Sequence, residues 1–192
     1  MKLADHPAFD RLLRALRRAP RAIPWKGSCF RVAEERWARS EDLFSGEGAR
    51  RLGGRWNRPG TAAAYASLDP DVAAKEWLAQ LKRAGIPPAQ RMPAAWTTGD
   101  VELQRVLDVG DASLLEALGL SKPDLLDVDW EEDNRRNRES LPQALGRAAL
   151  RCKYEALLVP SATGRGRNIV LFPRALRAGS RVKPKGLKGR YP

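Results

Sequence analysis

The chain has one histidine, His6, two cysteines, Cys29 and Cys152, and no apolar run of membrane-spanning length. The single imidazole, placed ahead of the first helix, excludes most chemistry that depends on histidine. Serine and cysteine hydrolase triads and histidine-based nucleases need it as a general base, and zinc enzymes usually need it as a ligand. The cysteines stand far apart and form no CxxC pair, so neither a disulfide framework nor a zinc site is expected, and each reads as a small buried hydrophobe. The first residues, MKLADHPAFDRLLRALRRA, are punctuated by arginine and lack the apolar stretch of a signal peptide. The expectation is a cytoplasmic protein with no membrane segment and no metal, whose proton chemistry rests on carboxylates.

What the chain has in excess is positive charge. Its 192 residues carry a formal charge of +12 and a pI near 10.4, which points to an anionic partner. The basic residues are scattered, however, and no strand interleaves them with aromatics as RNA-binding sheets do, so direct nucleic-acid binding is not favoured. The length suits a single domain with a sizeable core.

Periodicity orders the chain. Phe9, Leu12, Leu13 and Leu16 predict an amphipathic helix ending before Pro20, and Pro20 and Pro24 bound a linker. Residues 28–33 alternate as a strand with Phe30 and Val32 on one face and Arg31 on the other. A second strand, 61–67, puts Ala63, Tyr65 and Ser67 on one side. Asp69 then offers a cap and Pro70 a first-turn residue for a helix with an apolar stripe of Ala74, Trp77, Leu78 and Leu81, leaving Glu76 off that stripe. Strands are expected at 94–98, 101–107, 155–159 and 168–172, and helices at 113–118 and 141–150. Residues 127–138 are too polar for core and read as an exposed loop or helix start, and the basic tail from 183 reads as disordered. The organisation expected is an N-terminal helix and linker (1–27), a main domain (28–182) and that tail (183–192).

Residues 45–60, SGEGARRLGGRWNRPG, hold five glycines and four arginines with no apolar period. Such a segment makes a poor core element but a loop able to bring amides and guanidinium groups to an anion. Neither it nor SATGRGRN satisfies a dinucleotide fingerprint or a P-loop, since the third glycine and the Gly-Lys-Ser/Thr ending are missing.

Taken in order, Phe30-Arg31-Val32, GEGARRLGGRWNRPG, Tyr65-Ala66-Ser67, Glu76, Arg105-Val-Leu-Asp108, Gln143-Ala-Leu-Gly146, Val159-Pro-Ser161 and Asn168-Ile-Val-Leu-Phe-Pro173 resemble the RES-domain family, named for an arginine, a glutamate and a serine. The resemblance spans residues 29–182; Pro142 stands where a threonine is expected. It implies an α+β fold similar to ADP-ribosyltransferase toxins, a mixed β core flanked by helices. The implied role is the toxin of a toxin–antitoxin pair that cleaves the nicotinamide–ribose bond of NAD⁺. The implied partner is an antitoxin with a helix-turn-helix domain, which occludes the active site.

That reaction suits a chain with one remote histidine, because nicotinamide leaves a cationic nitrogen as a neutral molecule and needs no general acid. It needs an anion holder, a flat surface and a carboxylate near the developing cation. The resemblance assigns catalysis to Arg31, Tyr65 and Glu76. Arg31 would hold the pyrophosphate with Arg55 as a second phosphate contact, Tyr65 would stack, and Glu76 would face the ribose. Ser67, Ser161 and Asn168 complete the expected NAD⁺ contacts. The acceptor stays open between water, phosphate and a protein side chain. A transferase that modifies a protein and a basic nucleic-acid-binding module are the alternatives.

Overall fold

A computed structural model describes residues 3–18, 21–38, 41–164 and 166–190. Pro20, Arg165 and the last two residues of the tail, all part of the expectations above, lie outside the described residues. The fold is α+β and forms a single domain.

Helix α1 (Phe9–Arg18) leads into strand β1 (Ala22–Glu34), the short helix α2 (Glu35–Ala38), a 3₁₀ turn at Glu41–Phe44 and helix α3 (Glu47–Leu52). Strand β2 (Ala64–Ser67), helix α4 (Pro70–Arg83) and the long strand β3 (Ala94–Asp108) follow. Helices α5 (Ala112–Leu118), α6 (Lys122–Leu126), α7 (Trp130–Arg135) and α8 (Leu141–Arg151) come next, and strands β4 (Ala156–Pro160), β5 (Arg167–Leu171) and β6 (Arg181–Arg190) close the chain.

The strand order is β1-β2-β5-β4-β3-β6, and an additional β1–β3 pairing closes the first five into a ring. One side of the ring packs Cys29, Ala66, Leu103, Leu158, Ile169 and Leu171 with Leu43 and Phe44 of the 3₁₀ turn. The other side carries Tyr65, Leu107, Leu157, Val159 and Val170 beneath α1, α5 and α8. Alternation along each strand assigns neighbouring residues to opposite sides. Gly99 has no side chain because the Phe44 ring occupies its place; a Cβ there would sit 2.8 Å from the ring.

Several expectations are corrected, each because a long-range pairing decided what local pattern left open. Strand β1 starts at Ala22, so Pro24 lies inside it, at a register shift between Ile23 and Trp25 rather than in a linker. The two strands expected at 94–98 and 101–107 are one, β3, held along its length by β1. The polar stretch 127–138, by contrast, agrees with the loop or helix start expected there: it holds α7, capped locally by the Asp129 side chain on the Glu132 amide (2.9 Å). The tail is not disordered up to Arg190: β6 pairs with β3 from Arg181 onward, with Arg181 bonded to Glu102 (2.6 Å) and Lys185 to Asp100 (2.6 Å).

The N-terminal segment belongs to the same core. Leu12 and Leu16 are fully buried against α8, and the Arg147 guanidinium lies 3.3 Å above the Phe9 ring. The backbone of Ala4 bonds Asn137 and Glu139.

Candidate functional site

Glu76 reaches its position because α4 starts immediately after β2 and is fixed at its first turn. The Asp69 carboxylate accepts the amides of Asp71 (2.8 Å) and Val72 (3.1 Å), and Pro70 supplies the preset φ of a first helical residue. The buried residues of α4 are Val72, Ala73 and Leu81, while Leu78 is 37% exposed. The inward stripe is therefore rotated from the one expected. Glu76, one turn after Val72, points inward with it.

There the carboxylate meets two strands. Glu76 Oε1 accepts the Ser161 hydroxyl at 2.6 Å and the Asn168 side-chain amide at 2.7 Å. Ser161 lies just beyond β4 and Asn168 in β5, so one oxygen ties helix, loop and sheet together. Ser161 is set in turn by Thr163, whose amide donates to it at 3.1 Å and whose hydroxyl lies 2.7 Å away. Gly166 lets this loop close on α4, since a Cβ there would come within 2.4 Å of Val72 Cγ2. Asn168 Oδ1 is buried with no hydrogen-bond partner among the described residues. Such an atom is expensive to leave unpaired unless a ligand or water serves it. Ser67, 3% exposed, pairs directly with Asn168 and so lies beside it on the same face.

The glycine-rich segment is folded into a tightly bonded scaffold next to this cluster. The Tyr65 hydroxyl donates to Asn57 Oδ1 at 2.7 Å and accepts the Trp56 amide at 2.9 Å. Asn57 Nδ2 spans the carbonyls of Ala49 (2.9 Å), Arg58 (3.2 Å) and Thr61 (2.9 Å). Gln143 Nε2 adds bonds to the carbonyls of Gly54 (3.0 Å) and Asn57 (3.2 Å). Gly54 is required by close approach, because a Cβ would sit 2.6 Å from the Tyr65 hydroxyl, and Gly146 of α8 because a Cβ would sit 2.0 Å from the Trp56 carbonyl. Trp56, at 3% exposure, is core.

Tyr65 is thus a pillar of this scaffold. Burial pushes its phenol well above the ordinary range, so it stays a neutral hydrogen-bonding group. Arg55 leaves the same segment with Nη1 on the carbonyls of Leu125 and Val128, both at 3.0 Å. Burial and the nearby Arg83 lower its pKa, while the charge of Glu76 acts the other way, which puts its guanidinium within electrostatic range of that carboxylate.

Arg31 is the correction at the site. Phe30 pairs with Ser67, so Phe30 shares the face of Ser67 and Arg31 takes the opposite one. Its guanidinium donates to the Leu43 carbonyl and lies 5.9 Å from the Phe44 ring centroid, and burial lowers its pKa. Glu76, Ser67, Ser161 and Asn168 come together, with Tyr65 and Arg55 beside them; Arg31 stands behind the sheet. The converging trio of Arg31, Tyr65 and Glu76 is not what the fold builds. Thr163 and the scaffold role of Gln143 were missed, since nothing in local sequence says which loop will meet α4 or that α8 will bond the glycine-rich segment. Among the described residues no group of three or more His, Cys, Asp or Glu side chains is placed to hold a metal ion, and no helix is long and apolar enough to cross a membrane.

Residues 28–192 match the RES domain, so the chain belongs to that family. It is 33% identical over 160 residues to the NAD(+) phosphorylase MbcT of Mycobacterium tuberculosis and to the protein of the same name in Mycobacterium bovis, covering 82% of this chain and 79% of each relative. The crystal structure of the M. tuberculosis MbcT–MbcA toxin–antitoxin complex contains a similar fold. It matches with a TM-score of 0.68 and 26% identity over 94% of this chain and 90% of that one.

Proposed function

We propose that this protein is the toxin of a toxin–antitoxin pair and that it breaks the nicotinamide–ribose bond of NAD⁺, with inorganic phosphate as the acceptor. The observation that carries the reading is the Glu76 carboxylate held on one oxygen by Ser161 and Asn168. Both bonds go to Oε1, and Oε2 has no partner among the described residues. A carboxylate so aimed faces the anomeric carbon and stabilises the positive charge that builds there as the bond lengthens. The naming of its relatives as NAD(+) phosphorylases supports the same chemistry.

The electron pair of the breaking C–N bond returns to the pyridine nitrogen, and nicotinamide leaves neutral without receiving a proton. A phosphate oxygen then bonds to the anomeric carbon, giving ADP-ribose 1″-phosphate. Ser161 and Asn168 orient Glu76, and Ser67 lies beside them against the substrate. Arg55 supplies positive charge for the pyrophosphate in the forked geometry that suits phosphate oxygens. Tyr65 fixes the glycine-rich segment against the same space and offers part of its ring edge. Arg31 is assigned a positioning role: from the far side of the sheet it holds Leu43, two residues before that segment begins. The reaction takes place in the cytoplasm, and a helix-turn-helix antitoxin holds the toxin in check by covering the site.

The test is to incubate purified protein, free of any partner, with NAD⁺ in the presence and absence of phosphate and to identify the adenine-containing product. ADP-ribose 1″-phosphate, formed only with phosphate, is expected. Free ADP-ribose in both conditions would make it a glycohydrolase, an ADP-ribosylated protein would make it a transferase, and intact NAD⁺ would reject the reading.

A further inference from the structure

A second feature lies on the same face of the ring, two strands away from Glu76. Thr98 of β3 pairs with Phe30 of β1, Phe30 with Ser67 of β2, and Ser67 with Asn168 of β5. Directly paired residues share a face, so these four side chains form one row across four strands. Neighbouring strands are about 4.8 Å apart, which sets Phe30 about 10 Å from Asn168 along the row, a span that a nucleoside covers.

At the Phe30 end of the row is a cavity of about 240 Å³ lined by Phe30, Trp96, Thr98 and Pro70. It is smaller than the roughly 300–1,000 Å³ typical of whole-ligand pockets and suits a single ring. Its walls are two aromatic side chains and the proline that opens α4, the helix bearing Glu76. Thr98 is 1% exposed, and its Oγ1 has no hydrogen-bond partner among the described residues. An apolar slot with one orphaned buried hydroxyl matches a flat aromatic ring carrying one polar substituent.

We propose that Phe30, Trp96 and Pro70 enclose the pyridine ring of the substrate and that the Thr98 hydroxyl hydrogen-bonds its carboxamide. The proposal rests on the NAD⁺-cleaving reading and replaces Tyr65, whose hydroxyl is already bonded twice within the scaffold, as the surface against which the ring packs. With the ring in this slot, the scissile bond points along the row toward Ser67 and the Glu76 carboxylate. The same slot retains nicotinamide after cleavage, which makes free nicotinamide a product inhibitor competing for it.

Thr98→Val is the informative substitution, because it keeps the shape, removes only the hydroxyl and takes away an unpaired buried group, so the fold should hold. Binding of nicotinamide, benzamide and pyridine is measured by calorimetry or ligand-observed NMR on wild type and variant, alongside NAD⁺ turnover. The variant should bind both amides about five- to tenfold more weakly, as for the loss of one hydrogen bond, with pyridine affinity unchanged. Phe30→Ala should weaken all three ligands. Amide affinity unchanged in Thr98→Val, an equal loss for pyridine, or no nicotinamide binding to wild type would each overturn the proposal. The two readings separate cleanly. NAD⁺ cleaved normally with nicotinamide inhibition indifferent to Thr98 leaves the function and rejects the pocket. NAD⁺ left intact with Thr98-dependent nicotinamide binding does the reverse.

Discussion

Two asparagines, the buried Asn57 and the half-buried Asn168, show how differently one side chain serves two neighbouring regions. Asn57 donates to three carbonyls and accepts the Tyr65 hydroxyl, so its bonding capacity is spent within the protein. Asn168 donates to Glu76 and leaves Oδ1 buried and, among the described residues, unpaired. The first region, the glycine-rich segment with Tyr65, Trp56 and Gln143, is a scaffold closed on itself. The second, the row from Asn168 to Thr98 under α4, has polar atoms in reserve. A satisfied network fixes geometry, and an unsatisfied atom beside a cavity and a poised carboxylate marks where a ligand completes the structure.

The comparison is sharpened first by Asn57→Ala. Removing that side chain strands three carbonyls and the Tyr65 hydroxyl, and each buried group left unpaired costs about 1–3 kcal/mol. We expect stability to fall by at least about 3 kcal/mol in denaturant unfolding, with turnover lost because the folded population is lost. A midpoint within experimental error of wild type would show that the segment is not the scaffold described.

Arg31→Gln comes next. If Arg31 acts by holding the Leu43 carbonyl from behind the sheet, the variant loses roughly 1–3 kcal/mol of stability, and NAD⁺ affinity per folded molecule changes little. A large rise in KM for NAD⁺ with an unaltered unfolding midpoint would instead return Arg31 to the substrate. Asn168→Ala should behave in the opposite sense to Asn57→Ala. Unfolding should shift by less than about 1 kcal/mol while kcat falls about tenfold, since Glu76 loses one of the two donors that aim it. Equal stability losses for the two asparagine variants would erase the distinction between the regions.

The smallest effect concerns pH. Burial lowers the pKa of His6, with Glu139 opposing. Below the unfolded value of 6.5 the unfolded chain therefore binds a proton that the folded chain resists, and stability declines as pH falls from neutrality through that value. Because His6 is the only histidine, His6→Gln should flatten this slope between about pH 7 and 5 in thermal unfolding. An unchanged slope would place its origin elsewhere.

Much of this was legible in the sequence where the signal is local. The start of α4 follows from Asp69 and Pro70, and α5 ends at Gly119 in the left-handed conformation. The bonds from Ser161 and Asn168 to Glu76 have no such local signal: the family resemblance put all three near the ligand, and no local pattern predicts contacts 85 and 92 residues apart. What local pattern could not give was register. Whether Arg31 or Phe30 faces the site depends on the single β1–β2 pair Phe30↔Ser67, and a one-residue slip would exchange them. The row through Thr98 needs three such registers at once. The tail expectation failed for the same reason: its lysines and arginines read as solvated chain, yet β6 carries it along β3 and Asp100 of β3 receives Lys185.

The central claim is that the Glu76 carboxylate stabilises charge at the breaking bond without being needed for the fold or for binding NAD⁺. Glu76→Gln keeps the shape and removes the charge, so NAD⁺ binding and single-turnover cleavage measured on the same folded preparation test it directly. Binding within a few-fold of wild type with cleavage slowed about 10²–10³-fold is predicted; cleavage at the wild-type rate would contradict it.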